Sequence, residues 1–382
     1  MNLRLALPLV LSLVSAPALA FVIPSPPALD NKSSILIDFA SGQVLTDNNA
    51  DMPVEPASLT KMMTSYIVER ALDSGRLKET DMVGVSEHAW CRGSSNESCM
   101  YLPLNGQATV IDMLRGVIIQ SGNDASKALA EHIAGSEPAF ADIMNGEAKR
   151  LGMKNTHFMN ATGLPDPAHI TTARDMAILA RAIIKDSNKY YPIYSEKSFT
   201  YNNIKQGNRN ALLYTDPTVD GLKTGHTNAA GYCLVASSQR NGMRLIAAVM
   251  GTNSMQARAD QVRALLNWGF SSYESVTPMK AGTVLSDAPV WFGTEDMVKV
   301  GLADDLSLTL PRGKKDSVEA KTRLQPELNA PIAKGQVVGE VVVSIDGKVL
   351  ATQPVVAMEA VEEANFVVRI WHYLKRFLTN LF

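Results

Sequence analysis

The chain is short of cysteine, of net charge and of long apolar runs, and each shortage narrows what it can be. Its 382 residues carry 36 Lys+Arg against 38 Asp+Glu, a net charge of −2. No basic field is available for a phosphate backbone, so nucleic acid is not an expected partner. The six histidines (His88, His132, His157, His169, His226 and His372) show no zinc-ligand spacing, and neither His-Glu-x-x-His nor Cys-x-x-Cys occurs. That argues against a metallopeptidase. A glycine-rich nucleotide loop is also missing, so we expect neither a metal nor an organic cofactor. Three cysteines permit one disulfide and leave one thiol over. Cys91 and Cys99 bracket a polar loop, and their spacing leaves open whether they pair. Cys233, within the apolar run Tyr232 to Ala236, reads as a small buried hydrophobe.

What is present divides the chain. Arg4, the apolar run Leu5 to Val14 and Ala18-Leu19-Ala20 make a secretory signal over 1–20, cut after Ala20. That run is too short to span a bilayer. The remaining chain, about 360 residues, is too long for one core and predicts two domains. Residues 21–32 are Pro-rich and read as an extended lead-in, and a hairpin is expected around Ala40-Ser41-Gly42. Leu59, Met62, Met63, Tyr66 and Ile67 fall at helical spacing, which predicts a helix from Ser58 to about Ser74. Thr109 and Asp112 form a cap opening a helix through Ile119, and a second helix is expected over 125–133, before Gly135. Strands are expected at 221–224, 232–237 and 245–251, and a helix over 260–268. After about Pro278 helical periodicity gives way to short β-prone runs, with Asp346-Gly347 as a hairpin turn. We therefore expect an α+β chain: a body over 21–277, a small all-β domain over 278–358, and a terminal helix over 361–382. In that helix Phe366, Val367, Ile370, Trp371, Leu374, Phe377, Leu378 and Leu381 share one face, opposite Arg369, His372, Lys375 and Arg376. Such a pattern fits a helix lying on a membrane surface better than one crossing it.

Three short motifs carry the chemistry: Ser58-Leu59-Thr60-Lys61, Ser121-Gly122-Asn123 and Lys223-Thr224-Gly225. A Ser-x-x-Lys should arise about once by chance in a chain this long. One occurs here, and the other two motifs follow it in order. A serine hydroxyl needs a neighbouring base to become a nucleophile. Lysine serves only when neutral, which requires burial or an adjacent cation. Lys61, one turn after Ser58, suits that role, with Lys223 as the nearby cation hydrogen-bonded to Ser121. Ser121 is placed to relay protons, and Asn123 offers donor and acceptor to a peptide backbone. Thr224 and Gly225 on an edge strand can bind an extended peptide, Gly225 allowing close backbone approach. The N–H groups of Ser58 and His226 are the expected oxyanion donors.

With their flanks, Pro56 to Thr64, Gln120 to Ala125 and Asp220 to Thr227 resemble the low-molecular-mass penicillin-binding proteins. Within these the chain is similar to the D-alanyl-D-alanine carboxypeptidases of the penicillin-binding protein 5 and 6 type. The resemblance extends to Lys154 to Phe158, Ala173 to Ala177, Pro289 to Gly293 and the terminal helix. It implies a transpeptidase/β-lactamase-like domain, an antiparallel sheet flanked by helices, followed by the β-rich domain and an anchor on the periplasmic face of the inner membrane. The implied reaction removes the terminal D-alanine from peptidoglycan pentapeptide stems through an acyl-enzyme on Ser58, with β-lactam antibiotics acylating the same serine. By position, Arg258 is implied near the substrate carboxylate. The loop after Trp90, with its two cysteines, departs from the family pattern, and no counterpart of the class A β-lactamase glutamate is evident. A β-lactamase, a D,D-endopeptidase and a scaffold with little turnover are the competing readings.

Overall fold

The computed structural model describes residues 23–91 and 97–379. The expected secretory signal, residues 92–96 of the cysteine-bracketed loop and Leu381 lie outside these. The expected hairpin forms from β1 (Ser33–Asp38) and β2 (Val44–Asn48), paired antiparallel. A 3-10 turn, Ala57–Thr60, runs directly into α1 (Lys61–Asp73), so the predicted helix is present but its first turn is wound tighter. A ribbon follows, β3 (Met82–Gly84) with β4 (Gln107–Thr109). Next comes α2 (Val110–Arg115), whose start is capped as expected by Thr109 accepting from the Asp112 N–H. One π-turn, Gly116–Gln120, then leads through Ser121 into α3 (Asn123–Ala134). Helices α4 (Glu137–Leu151) and α5 (Ala173–Asp186) complete the helical layer. A second ribbon, β5 (Ser198–Tyr201) and β6 (Ile204–Gly207), and a short α6 (Leu212–Thr215) precede the main strands. These are β7 (Val219–Thr227), β8 (Gly231–Arg240) and β9 (Met243–Thr252), followed by α7 (Met255–Ser272).

The central sheet is antiparallel in the order β2-β1-β9-β8-β7, which leaves β7 as an edge. Its strands alternate between two apolar cores. Ile35, Ile37, Val235, Ile246 and Ala248 pack with α1 to α5, while Leu36, Leu234, Leu245, Ala247 and Val249 pack with α7. The two-residue period of a strand sends neighbours to opposite faces, so a sheet covered on both sides reads as continuous apolar sequence. Cys233 is fully buried in the first core with a free thiol, as expected, and burial pushes that thiol up to about 11.

Strand structure resumes at Tyr273, straight from α7, in β10 (Tyr273–Met279). Then follow β11 (Val284–Trp291), β12 (Met297–Leu302), β13 (Leu306–Pro311), β14 (Val318–Leu324), β15 (Leu328–Asn329), β16 (Val337–Ile345) and β17 (Lys348–Ala357). Six of them form one sheet, β14-β16-β17-β12-β11-β15, and β10 pairs with β13. Asp346 and Gly347 both take positive φ, at 48° and 76°, in the β16–β17 turn. The side chain of Ser41 reaches Thr309 at 2.6 Å and Arg312 donates to the Phe270 carbonyl, tying this domain to the first.

Helix α8 (Phe366–Thr379) docks by its polar edge. The Phe292 N–H donates to His372 Nδ1 at 2.7 Å, and Arg369 and Arg376 pair with Glu363 and Glu327. Phe366, Val367 and Trp371, in contrast, stay 75%, 74% and 64% exposed. Among the described residues no helix is long and apolar enough to cross a membrane.

One contact fixes the 3-10 turn from outside. Gly163 has φ +84°, and a Cβ there would lie 1.8 Å from the Ala57 carbonyl oxygen. Gly163→Ala is expected to lower stability by about 1–3 kcal/mol. A thermal melt checks this, and the variant should also be acylated more slowly, because the displaced turn carries Ser58.

Candidate active site

The 3-10 turn brings the first motif together. Such a helix has three residues per turn, so positions i and i+3 eclipse. Ser58 and Lys61 therefore lie one above the other, with Lys61 Nζ 3.3 Å from Ser58 Oγ. The amine is fully buried and donates to the Thr162 carbonyl at 2.6 Å. Thr162 is itself held in a polar turn, in which Asn160 Oδ1 accepts from the N–H groups of Thr162 and Gly163. Burial, and secondarily the positive charge of Arg209, bring Lys61 down to about 7. A neutral amine beside a hydroxyl at neutral pH is a base–nucleophile pair.

Ser121 sits at the break between the π-turn and α3 in the left-handed conformation, φ 69°. The expected bond to Lys223 is not made. Among the described residues the buried Ser121 Oγ has no hydrogen-bond partner, and Lys223 Nζ instead donates to the Thr224 carbonyl at 3.1 Å. Lys223 is pushed well below its ordinary value, by burial first and then by Lys61, Arg209 and Arg258. Arg209 is thus a cation near both lysines, and Lys61 and Lys223 disfavour each other's charge. Asn123 is buried at the start of α3, and its Nδ2 donates to Glu97 Oε2 at 3.1 Å.

Edge strand β7 forms the opposite wall. Lys223 and Thr224 are buried, while His226 is exposed and stacks on Tyr232 at 4.0 Å. Gly225 backs onto the first motif. A Cβ there would meet the Pro56 carbonyl oxygen at 3.0 Å and the Leu59 nitrogen at 3.2 Å, so the close approach is to the Ser58 turn. Arg258, at the start of α7, is buried against Tyr232 and donates to the Gly225 carbonyl at 3.3 Å. Ser58, Ser121, Thr224, Gly225, His226 and Arg258 all line one cleft of about 560 Å³, with Glu97, Ser98 and Arg209.

Sequence reasoning missed Thr162, Arg209 and Glu97, none of which lies in a motif; Arg209 stands in the polar connection 208–211, where nothing distinguishes it. The disulfide left open is formed: Cys91 and Cys99 are bridged, with a Cα–Cα distance of 6.1 Å. It holds Ser98, whose carbonyl accepts the Asn123 N–H at 2.7 Å, at the cleft.

A buried lysine lowered to about 7 beside a serine, at the edge of a helix-flanked antiparallel sheet, is the arrangement of an acyl-transferring serine enzyme. Residues 21–254 match the family model described as D-alanyl-D-alanine carboxypeptidase, peptidase S11, and residues 273–363 match that of the penicillin-binding protein 5 C-terminal domain. The chain belongs to this carboxypeptidase family. It is 45% identical over 359 residues to D-alanyl-D-alanine carboxypeptidase DacA of Escherichia coli K12, covering 93% of this chain and 89% of that protein. To DacA of Haemophilus influenzae it is 46% identical over 373 residues, covering 97% and 94%. The crystal structure of Haemophilus influenzae penicillin-binding protein 5 superposes with a TM-score of 0.85 at 47% identity, covering 89% of this chain and all of that one. A D-alanyl-D-alanine endopeptidase of Escherichia coli K12 is 32% identical and covers only 64% of this chain.

The depressed Lys61 sets a pH dependence. A lysine base works only when neutral, so with Lys61 as the base, acylation of Ser58 by a β-lactam should fall as pH drops through about 7 and level off above it. Stopped-flow acylation between pH 5 and 9 checks this; a flat profile would rule out Lys61 as the base.

Proposed function

We propose that the chain is a serine-type D,D-carboxypeptidase that removes the terminal D-alanine from peptidoglycan pentapeptide stems, with penicillins acylating the same serine. The observation that carries this is the buried Lys61 amine 3.3 Å from Ser58 Oγ, lowered to about 7 by burial, in a cleft walled by an edge strand. Lys61 takes the proton of Ser58 as the hydroxyl attacks the peptide carbonyl. The N–H groups of Ser58 and His226 receive the oxyanion. Ser121 passes a proton to the leaving D-alanine, a role supported by its orphaned hydroxyl. The substrate backbone lies along β7, between Thr224 and Asn123, with its terminal carboxylate toward Arg258 and Lys223. Water then releases the acyl group, assisted by Lys61 or Ser121, so the step needs no metal or cofactor. We assign this work to 21–277, with 278–358 as a β-rich support.

Localisation follows from the two ends of the chain. The signal over 1–20 exports it, and the 361–382 helix rests on the periplasmic face of the inner membrane. The apolar side of α8 is left bare while its polar edge is bound to the β domain. An exposed aromatic and aliphatic stripe of this kind suits a bilayer interface.

Mass spectrometry of the mature protein with a D-Ala-D-Ala pentapeptide, and separately with benzylpenicillin, tests the activity. Loss of one alanine and a slowly released penicilloyl adduct on Ser58 are expected, and both should vanish in Ser58→Ala. Fast penicillin hydrolysis with intact peptide would make it a β-lactamase. For the membrane, Trp371→Glu with Leu374→Glu should abolish flotation with phospholipid vesicles. Deleting 361–382 should release a soluble protein that penicillin still acylates; loss of acylation there would mean the helix serves the fold.

A further inference from the structure

Another cavity, of about 490 Å³, opens beside β2, the edge of the central sheet opposite β7. It shares no lining residue with the catalytic cleft. Its floor is apolar, with Ile35 and Ile37 of β1 and Ala182 of α5 buried there. Val44, Leu151 and Ile178 line it nearer to solvent. The rim is cationic. Arg174, Arg181 and Lys185 recur at helical spacing with Ile178, so one face of α5 carries them, and Arg150 joins them from α4.

Two of these cations are already paired. Arg174 bridges Asp47 and Asp51, and Arg150 pairs with Glu147 and donates to the Tyr66 hydroxyl. Asp186, the one carboxylate lining the cavity among the described residues, accepts the Tyr66 O–H at 2.6 Å. The other two cations have no carboxylate within ion-pair distance among the described residues. Arg181 donates only to backbone: Nε and Nη2 reach the Phe39 and Ala40 carbonyls at 2.7 and 3.0 Å. Its guanidinium is thereby held against Gly42, where a Cβ would meet Cζ at 3.3 Å. Lys185 is exposed. Both also line a hollow toward the β domain, where Asp305 pairs instead with Lys280.

We propose that this cavity binds a single-chain amphiphile with an anionic head, a carboxylate or a phosphate. Its chain lies on the apolar floor and its head meets Arg181 and Lys185. An anion alone gains little from cations this open to water, and a bare chain leaves them unmatched. A ligand with both parts uses the whole site. The inference stands apart from the D,D-carboxypeptidase reading and does not depend on it.

Isothermal titration of the full chain with decanoate, below its micelle concentration, tests this. The bare stripe of α8 is the competing binder, so the titration is repeated in Trp371→Glu with Leu374→Glu. Decanoate should saturate one site in both proteins. Acetate and decylammonium should bind at least about tenfold more weakly, and each methylene removed from decanoate should weaken it about threefold. Decyl phosphate is run in parallel, and the tighter of the two names the head group. Lys185→Glu, at an exposed side chain, should weaken decanoate by about tenfold. Val44→Trp, at a position 38% exposed on β2, should obstruct the cavity and weaken it as much. Ser58 acylation by benzylpenicillin, retained in both variants, reports an intact fold. Equal binding of decylammonium, or decanoate binding that survives Lys185→Glu and Val44→Trp, overturns the proposal. So does binding lost when the α8 stripe alone is changed.

Discussion

A primary amine resists leaving water as a cation, and the fold uses that resistance at Lys61. The amine lies at the base of a 3-10 turn, enclosed by α1 and by the 160–163 loop, with the Thr162 carbonyl as its buried acceptor. Burial alone drives it toward neutrality, and the positive charge of Arg209 adds to this. Everything that holds the turn in place therefore also sets the protonation state of its lysine. Gly163 and Gly225 press on that turn from two sides; a methyl group at Gly163 would overlap the Ala57 carbonyl, and one at Gly225 would crowd the turn.

The cleft's other walls depend on the same packing. Edge strand β7 lies against the Ser58 turn, so a strand able to pair with an extended peptide stands beside that serine. Ser121 reaches the site from a left-handed residue between two helical segments, a costly conformation for a non-glycine residue. Among the described residues its buried hydroxyl has no hydrogen-bond partner, an exception among buried polar groups. Ser98, next to the bridged Cys99, lines the cleft and is tied to α3 by its carbonyl's bond to the Asn123 N–H.

The β domain and α8 form a separate device. His372, read from the sequence as part of a charged face, accepts a backbone N–H and is almost fully buried. The helix thus holds the domain by its polar edge and presents its hydrophobic stripe outward, the reverse of a helix that packs into a soluble core. A bare stripe of this width is stable only if something apolar covers it.

Local pattern was enough for much of this. The hairpin at Ala40 to Gly42, the Thr109 cap, the strands that became β7 to β9 and the buried Cys233 all follow from two-residue or helical periodicity and from short-range capping. So does the order of the three motifs, because Ser58 and Lys61 are neighbours on one turn in any helical winding. Tertiary structure decided the rest. Whether Cys91 and Cys99 pair depends on the path of the chain between them. The positive charge near Lys61, the acceptor of its amine and the close neighbour of Gly225 are Arg209, Thr162 and Pro56, residues far apart along the chain. Electrostatic influence and steric contact act through space, and only the folded chain brings those partners within range.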